Sequence, residues 1–395
     1  MNHNLLQWRD EFPILQETTY LVSHSLGAMP RGVYDSLRAY ADTWASRGVR
    51  AWGDSWWALN GQVGDKIGQI INAPPSTVSI HENLSIAASI LYSGMSFPEG
   101  RTKIIIDDMI FPTMYYVLRG MFPQMQFHMV KSRDGITVPI DEMLDAIDEQ
   151  TAFVSISHVL FRSAYIMPAH EIIEKAHRVG ALTVLDAYHS VGVIPVDVTA
   201  LNVDILIGGT LKWMCGGPGG VFMYVRPDLL PMITPKITGW FAHKRPFAFE
   251  VDEIELREDS YRFLNGTFGV ASLYGIEPGI DIIAQIGAEV IRANSRRLTA
   301  LLIKLAQKAG YEVRTPLNPD ERAGTVTLAV PHAYEVTRAL LDRNIITDYR
   351  ENAGIRISPH FYNTEDEVRL VIAAIGDILE TGAWQQHTQG RAFVT

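Results

Sequence analysis

The chain is poor in cysteine: its 395 residues include one, Cys215. A single thiol excludes an internal disulfide framework and any multi-cysteine metal cluster. It suits a reducing cytoplasm. Positive charge is also in deficit. Lys and Arg number 34 against 44 Asp and Glu, a net charge of −10, so no basic footprint for nucleic acid is expected. Charged residues make up only 20% and hydrophobic residues 47%. That composition excludes a disordered chain and supplies a sizeable core, in two or three domains or in one large α/β body with an appendage. No apolar run is long enough to span a membrane. The nearest, 205–225, holds Lys212 and the glycines at 208, 209, 216, 217, 219 and 220, and reads as two short strands around a glycine-rich loop. Met1–Leu6 has no basic leader, and Arg9, Asp10 and Glu11 interrupt any apolar run beyond it. The twelve histidines never fall in a His-Glu-x-x-His spacing, so no zinc site is expected. The glycines at 216–220 lie between a lysine and a strand, which is not the place of a dinucleotide fingerprint.

What is present is alternation. Apolar runs at 77–80, 103–106, 127–130, 152–156, 183–185, 204–207 and 221–225 predict seven strands. Amphipathic stretches at 84–92, 112–121, 140–147 and 168–179 predict helices between them. Together they describe a mostly parallel, helix-covered sheet over 75–230. Upstream, Val33, Leu37, Tyr40, Ala41 and Trp44 form one helical stripe, and a second helix runs over 54–71. Trp52, Trp56 and Trp57 suit either a core face or a partner surface. Downstream, one long helix is expected over 280–309. Strands at 312–315, 325–329, 345–349 and 355–358 with helices at 333–341 and 365–380 predict a smaller α+β domain. The polar tail after Thr381 is expected to be loose.

Lys212 is the first residue to explain. No other charge lies between Asp204 and Arg226, and Leu211, Trp213 and Met214 surround it. A lysine so placed is either on a surface loop or desolvated, and desolvation makes it a nucleophile for an aldehyde. Asp186 ends an apolar strand, where carboxylates of open α/β sheets face the ligand crevice or cap a turn. His189 follows three residues later. Leu84 and Ser85 open a helix and suit either a plain cap or a phosphate cradle. Phe111 is a core aromatic or a stacking surface. Arg356, between Ile355 and Ile357, is a solvated edge arginine or a fork for a carboxylate.

The ordered set Leu185-Asp186-Ala187-Tyr188-His189-Ser190-Val191-Gly192, Asp204 and Gly209-Thr210-Leu211-Lys212 resembles the pyridoxal-phosphate enzymes of aminotransferase class V, and among them the kynureninase-like group. Ser25-Leu26-Gly27, Gly239-Trp240-Phe241, Arg262 to Thr267 and Ile355 to Pro359 extend the likeness over nearly the whole chain. The resemblance implies an α/β fold of type I, with a large cofactor domain (50–280, seven-stranded sheet) and a small domain (1–49 with 281–395). It implies pyridoxal 5′-phosphate held as an imine by Lys212, with Asp186 on the pyridine nitrogen and His189 beside the ring. Phe111 would stack on the ring, and Leu84 and Ser85 would hold the phosphate. Thr267 and Trp240 would reach the phosphate or substrate of a neighbouring subunit in a homodimer. Arg356, with Asn265 and His24, would bind the amino-acid substrate.

Departures bear on specificity. Kynureninases carry tyrosine where this chain has Leu211, Tyr-Tyr-Thr-Gly where it has Phe161-Arg162-Ser163-Ala164, and asparagine where it has Thr267 and His24. Cysteine desulfurases need a cysteine on a mobile C-terminal loop, and Cys215 is elsewhere. The resemblance therefore implies a cytoplasmic lyase or hydrolase cleaving at or beyond Cβ. An aminotransferase or epimerase is the alternative, and a non-catalytic ligand-binding relative is the alternative of another class.

Overall fold

Alternating residues of each apolar run divide between two layers. Ile104 and Ile106 enter one cluster and Ile105 the other; Val184 and Leu185, Ile207 and Leu206 separate in the same way. That period-two division makes a sheet buried on both faces. The computed structural model, which describes residues 5–388 and 390, shows it as seven strands in the order β2-β8-β7-β6-β5-β3-β4. These are β2 (Val78–His81), β3 (Lys103–Asp107), β4 (Gln126–Val130), β5 (Thr151–Ser157), β6 (Leu182–Asp186), β7 (Ile205–Gly209) and β8 (Val221–Val225); β1 (Thr19–Tyr20) lies apart. Strands β3 to β7 are parallel to one another, and β8 runs antiparallel to both β7 and β2. The expected fold class, a mostly parallel seven-stranded sheet with a smaller α+β part, is the one observed.

Helices α3 (Leu84–Gly94) and α4 (Pro112–Met121) cover one face. On the other lie α2 (Trp57–Ile70), α5 (Ile140–Ala146), α6 (Ala169–Arg178), α7 (Val198–Leu201) and α8 (Val270–Ile286). Helix α1 (Gly32–Arg47) packs on α8. Its predicted stripe is largely uncovered in one chain: only Val33 is buried, while Leu37 is 41% and Trp44 60% exposed. Trp56 is buried against Tyr40, and Trp57 stacks on Phe241 at 4.4 Å.

The helix expected over 280–309 is two helices, α8 and α9 (Ala288–Lys308), because Gly287 breaks the run at φ +86°. A second sheet has the order β12-β13-β10-β9, from β9 (Glu312–Val313), β10 (Val326–Ala329), β12 (Asp348–Arg350) and β13 (Gly354–Ile357). Helices α9, α10 (Ala333–Asp342) and α11 (Glu365–Thr381) pack on it. Strand β11 (Ile345–Ile346) instead pairs with β1, which ties the N-terminal segment to this part of the chain. The tail expected to be loose begins as a turn over Ala383–His387, with Trp384 stacked on His332; residues 391–395 lie outside the described residues, as does most of the leader position Met1–Leu6. No helix among the described residues is long and apolar enough to cross a membrane.

The C-terminal ends of β5, β6 and β7 point at the second sheet across the loop 158–166. Tyr165 bridges to Arg322, and Thr327 donates to the Arg162 carbonyl at 2.6 Å. Ligand sites in open parallel sheets form at such strand ends.

Candidate active site

Asp186 is the last residue of β6, on the α3/α4 face. Its Oδ1 accepts the Tyr188 N–H at 2.9 Å, which leaves the other oxygen for a ligand in the cavity. Burial raises this carboxyl to about 6, against the opposing charge of Lys212. His189 completes the turn. Burial and the nearby cations Lys212 and Arg356 hold its imidazole well below the ordinary value, so the ring is neutral. Its Nε2 therefore accepts from Lys212 Nζ, 2.5 Å away.

Lys212 stands just beyond β7. Burial, then Arg356, brings its ammonium down to about 7, with Asp186 and Asp348 opposing. At neutral pH much of it is a free amine, the form that attacks an aldehyde. The lysine backbone is braced from the N-terminal segment: Gly27 N–H donates to Leu211 O at 2.8 Å, and a Cβ at Gly27 would overlap the Lys212 carbonyl. Gly27 is thus required by close approach.

Around Lys212 lies a cavity of about 320 Å3, lined by Asp186, His189, Phe111, Leu84, Ser85 and Tyr188 among others. Lys212 Nζ lies 5.8 Å from the Phe111 ring centroid and 5.2 Å from that of Tyr188. Phe161 meets Phe111 edge-on at 5.5 Å. At the other end α3 opens. The Asn83 side chain caps the Ile86 N–H at 3.0 Å, so the first-turn amides of Leu84 and Ser85 are left for an anion.

Arg356 and His24 sit behind this cavity, and a residue that sequence reasoning missed explains why. Asp348, fully buried, faces Arg356 across the β12–β13 hairpin. Its oxygens accept from Arg356 Nε at 2.7 Å and Nη2 at 2.5 Å and from His24 Nε2 at 2.9 Å, and Arg350 Nη2 forms an ion pair with it at 3.1 Å. Arg356 Nη1 donates to Phe161 O at 2.7 Å. A guanidinium has five N–H groups. Three are spent, leaving one on each terminal nitrogen for a carboxylate. His24 has no free ring nitrogen, since Nδ1 also bonds Ser358 Oγ. Its place is to hold Asp348. The turn Glu351-Asn352-Ala353-Gly354, with Asn352 and Gly354 at positive φ, was the available signal for this pairing.

Trp240, Asn265 and Thr267 do not line the cavity of their own chain. Trp240, 41% exposed, packs on Trp57 and Phe247, and the Asn265 carbonyl lies against Gly239. Phe247, Phe249 and Ile254 leave an exposed apolar arm beside them.

The residues present fit pyridoxal 5′-phosphate: an anion cradle at α3, a buried carboxylate, a desolvated lysine and aromatic walls share one cavity. The comparisons agree. The family model for aminotransferase class V matches residues 19–371. The kynureninase of Pseudomonas fluorescens is 31% identical over 97% of this chain and 94% of its own length. That of Burkholderia mallei (strain SAVP1) is 30% identical over 95% and 93%. Among solved structures, the apo cysteine desulfurase of Thermococcus onnurineus NA1 superposes with a TM-score of 0.84 at 20% identity, covering 95% of this chain and 98% of its own. A cystine C–S lyase, C-DES, in complex with its product cysteine persulfide, also gives 0.84 at 20%, covering 93% and 99%. With that match spanning most of its length, the chain belongs to the aminotransferase class V family and is a pyridoxal-phosphate-dependent enzyme.

Proposed function

We propose that the protein is a kynureninase-like lyase or hydrolase that cleaves an amino acid at or beyond Cβ. The observation that carries this reading is the Lys212–His189 contact beside Asp186 and the Arg356 fork. It is supported by kynureninase relatives at about 30% identity over most of the chain. Bound pyridoxal phosphate supplies an electron sink for the pair left at Cα. The chain's own residues do the rest. Asp186 would hold the ring nitrogen through its free oxygen, and the amides of Leu84 and Ser85 would hold the phosphate. The free N–H groups of Arg356 hold the substrate carboxylate and so orient the bonds at Cα. Lys212 Nζ would hold the cofactor's aldehyde carbon and, as a free amine, would carry the Cα proton, while neutral His189 Nε2 accepts its hydrogen bond and keeps it in place. Phe111 and Phe161 give the site an apolar wall.

Persulfide chemistry is disfavoured by Cys215. It is 2% exposed behind the lysine loop, and burial pushes its thiol well above the ordinary value. The same reading takes the enzyme as cytoplasmic and divides it into a cofactor domain over 50–280 and a small domain from 1–49 with 281–395. It also takes the enzyme as a homodimer, in which the exposed arm bearing Trp240, Asn265 and Thr267 meets the partner's cavity.

The test is a panel of amino acids, including aryl-keto and β-substituted ones, given to holoenzyme. Release of a side-chain fragment without any added keto acid is expected. Turnover that depends on an added keto acid would instead make it an aminotransferase.

A further inference from the structure

Tyr188 has no part in the proposed mechanism, yet it lines the cavity. Its backbone N–H is committed to Asp186, which fixes where the side chain starts. From there the ring crosses the end of β7: a Cβ at Gly209 would overlap Tyr188 Cζ and Oη. The glycine is what lets the phenol lie there. Gly209 pairs with Val221 on β8, and Val221 pairs with His81 on β2. Helix α3 begins three residues after His81, at Leu84. The tyrosine therefore runs from β6 toward the strands that carry the anion cradle, with its hydroxyl at the leading end.

That hydroxyl has no protein hydrogen-bond partner among the described residues, although the ring is largely buried in the wall. Burial, with Asp186 adding to it, pushes the phenol well above its ordinary value, so it is a neutral donor at any working pH. The hydroxyl oxygen is not sealed in the wall, and the residue lines the cavity, so an anion bound there could serve as its acceptor. Leu211, next to the lysine, offers no hydroxyl that could do the same work.

We propose that the Tyr188 hydroxyl donates a hydrogen bond to the cofactor's phosphate, completing the cradle formed by Leu84 and Ser85. The proposal rests on the reading of this cavity as the pyridoxal-phosphate site. It predicts a loss confined to the phosphate, which separates it from a packing role.

The experiment measures dissociation constants of apoprotein for pyridoxal 5′-phosphate and for pyridoxal, which lacks the phosphate, by the change in protein fluorescence. Tyr188→Phe keeps the ring and removes only the hydroxyl. A hydrogen bond to a charged acceptor predicts roughly tenfold or greater weakening for pyridoxal 5′-phosphate, and less than twofold for pyridoxal. Equal weakening for both ligands would assign Tyr188 to packing and overturn the proposal. Unchanged affinity for pyridoxal 5′-phosphate would overturn it as well. Wild-type protein that binds neither ligand would defeat the reading of the cavity itself, a result distinct from either of these.

Discussion

Replacing Asp348 by asparagine keeps the side-chain volume and removes one negative charge. In the wild type that charge is fully buried and answers Arg356, which is 2% exposed, through two hydrogen bonds. Breaking a buried pair from one side leaves the other charge uncompensated, at a cost of about 3–5 kcal/mol. Asparagine retains one carbonyl oxygen for Arg356 Nε, so the lower end, ~3 kcal/mol, is the expected loss. Arg350 adds little because it is partly exposed to solvent. The sign with pH is also set. Burial works to raise the Asp348 carboxyl, but His24 and Arg356 hold it well below the usual carboxylate range. A group depressed in this way stabilises the fold above its unfolded value, about 3.9, and loses that contribution as pH falls through the folded one. The gap between wild type and Asp348→Asn should therefore be full at pH 7 and narrow only below about pH 4. Urea titration of the holoprotein at both pH values measures it. The variant also loosens the guanidinium that is proposed to hold the substrate carboxylate. A misaligned carboxylate fork should lower kcat/KM by about tenfold or more, with KM rising, while cofactor absorbance stays unchanged. A variant with wild-type urea midpoint and wild-type KM would refute the role of Asp348 in holding Arg356.

Asp186→Asn should weaken cofactor binding and abolish turnover, because the ring nitrogen loses its counter-charge; an asparagine variant with near-wild-type kcat would show that another group serves the ring. Burial holds five imidazoles uncharged: His24, His81 and His158 are lowered to about 4, His360 to about 3, and His189 well below the ordinary value. The unfolded chain takes up these protons from about pH 6.5 downward, so stability should fall from there toward pH 4, each ring contributing roughly 1.4 kcal/mol per pH unit. Circular dichroism across that range checks it, and a fold unchanged in urea midpoint at pH 4.5 would contradict it. Asp107 is buried with Oδ2 unpartnered, and burial raises it to about 7. A raised carboxyl stabilises below its unfolded value, about 3.9, and loses that contribution as pH climbs to 7, so Asp107→Asn should gain stability relative to wild type from about pH 4 to about pH 7 and level off above it. A difference that stays flat with pH in thermal melts would speak against ionisation at this site.

Much of the architecture was legible in order along the chain. The strand at 221–225 and the helix at 112–121 match the observed Val221–Val225 and Pro112–Met121, and the other sheet strands end within two residues of their expected limits. Period-two apolar runs closed by Gly, Pro and Asp are local signals, carried by covalent spacing. The desolvation of Lys212 was legible for the same reason, whereas the charges that act on it, Arg356, Asp186 and Asp348, come near it only in the fold. Gly287 shows the limit of such reading, since a helical pattern continued on both sides of a residue whose φ of +86° divides it.

What lay beyond the sequence were the distances between segments far apart in the chain. Asp348 sits 324 residues from His24, and the pairing of β1 with β11 brings their segments together. That network decides how many donors Arg356 has left to offer. The apolar stripe of α1 had the right period and the wrong expectation of cover, because amphipathic spacing says which residues share a face and not whether a neighbour buries it. Tyr188 was visible as a letter between Asp186 and His189. Only the folded chain lays its ring across Gly209, at the end of β7. Local chemistry is written residue by residue, whereas the direction of a side chain depends on packing between segments that only the folded chain brings together.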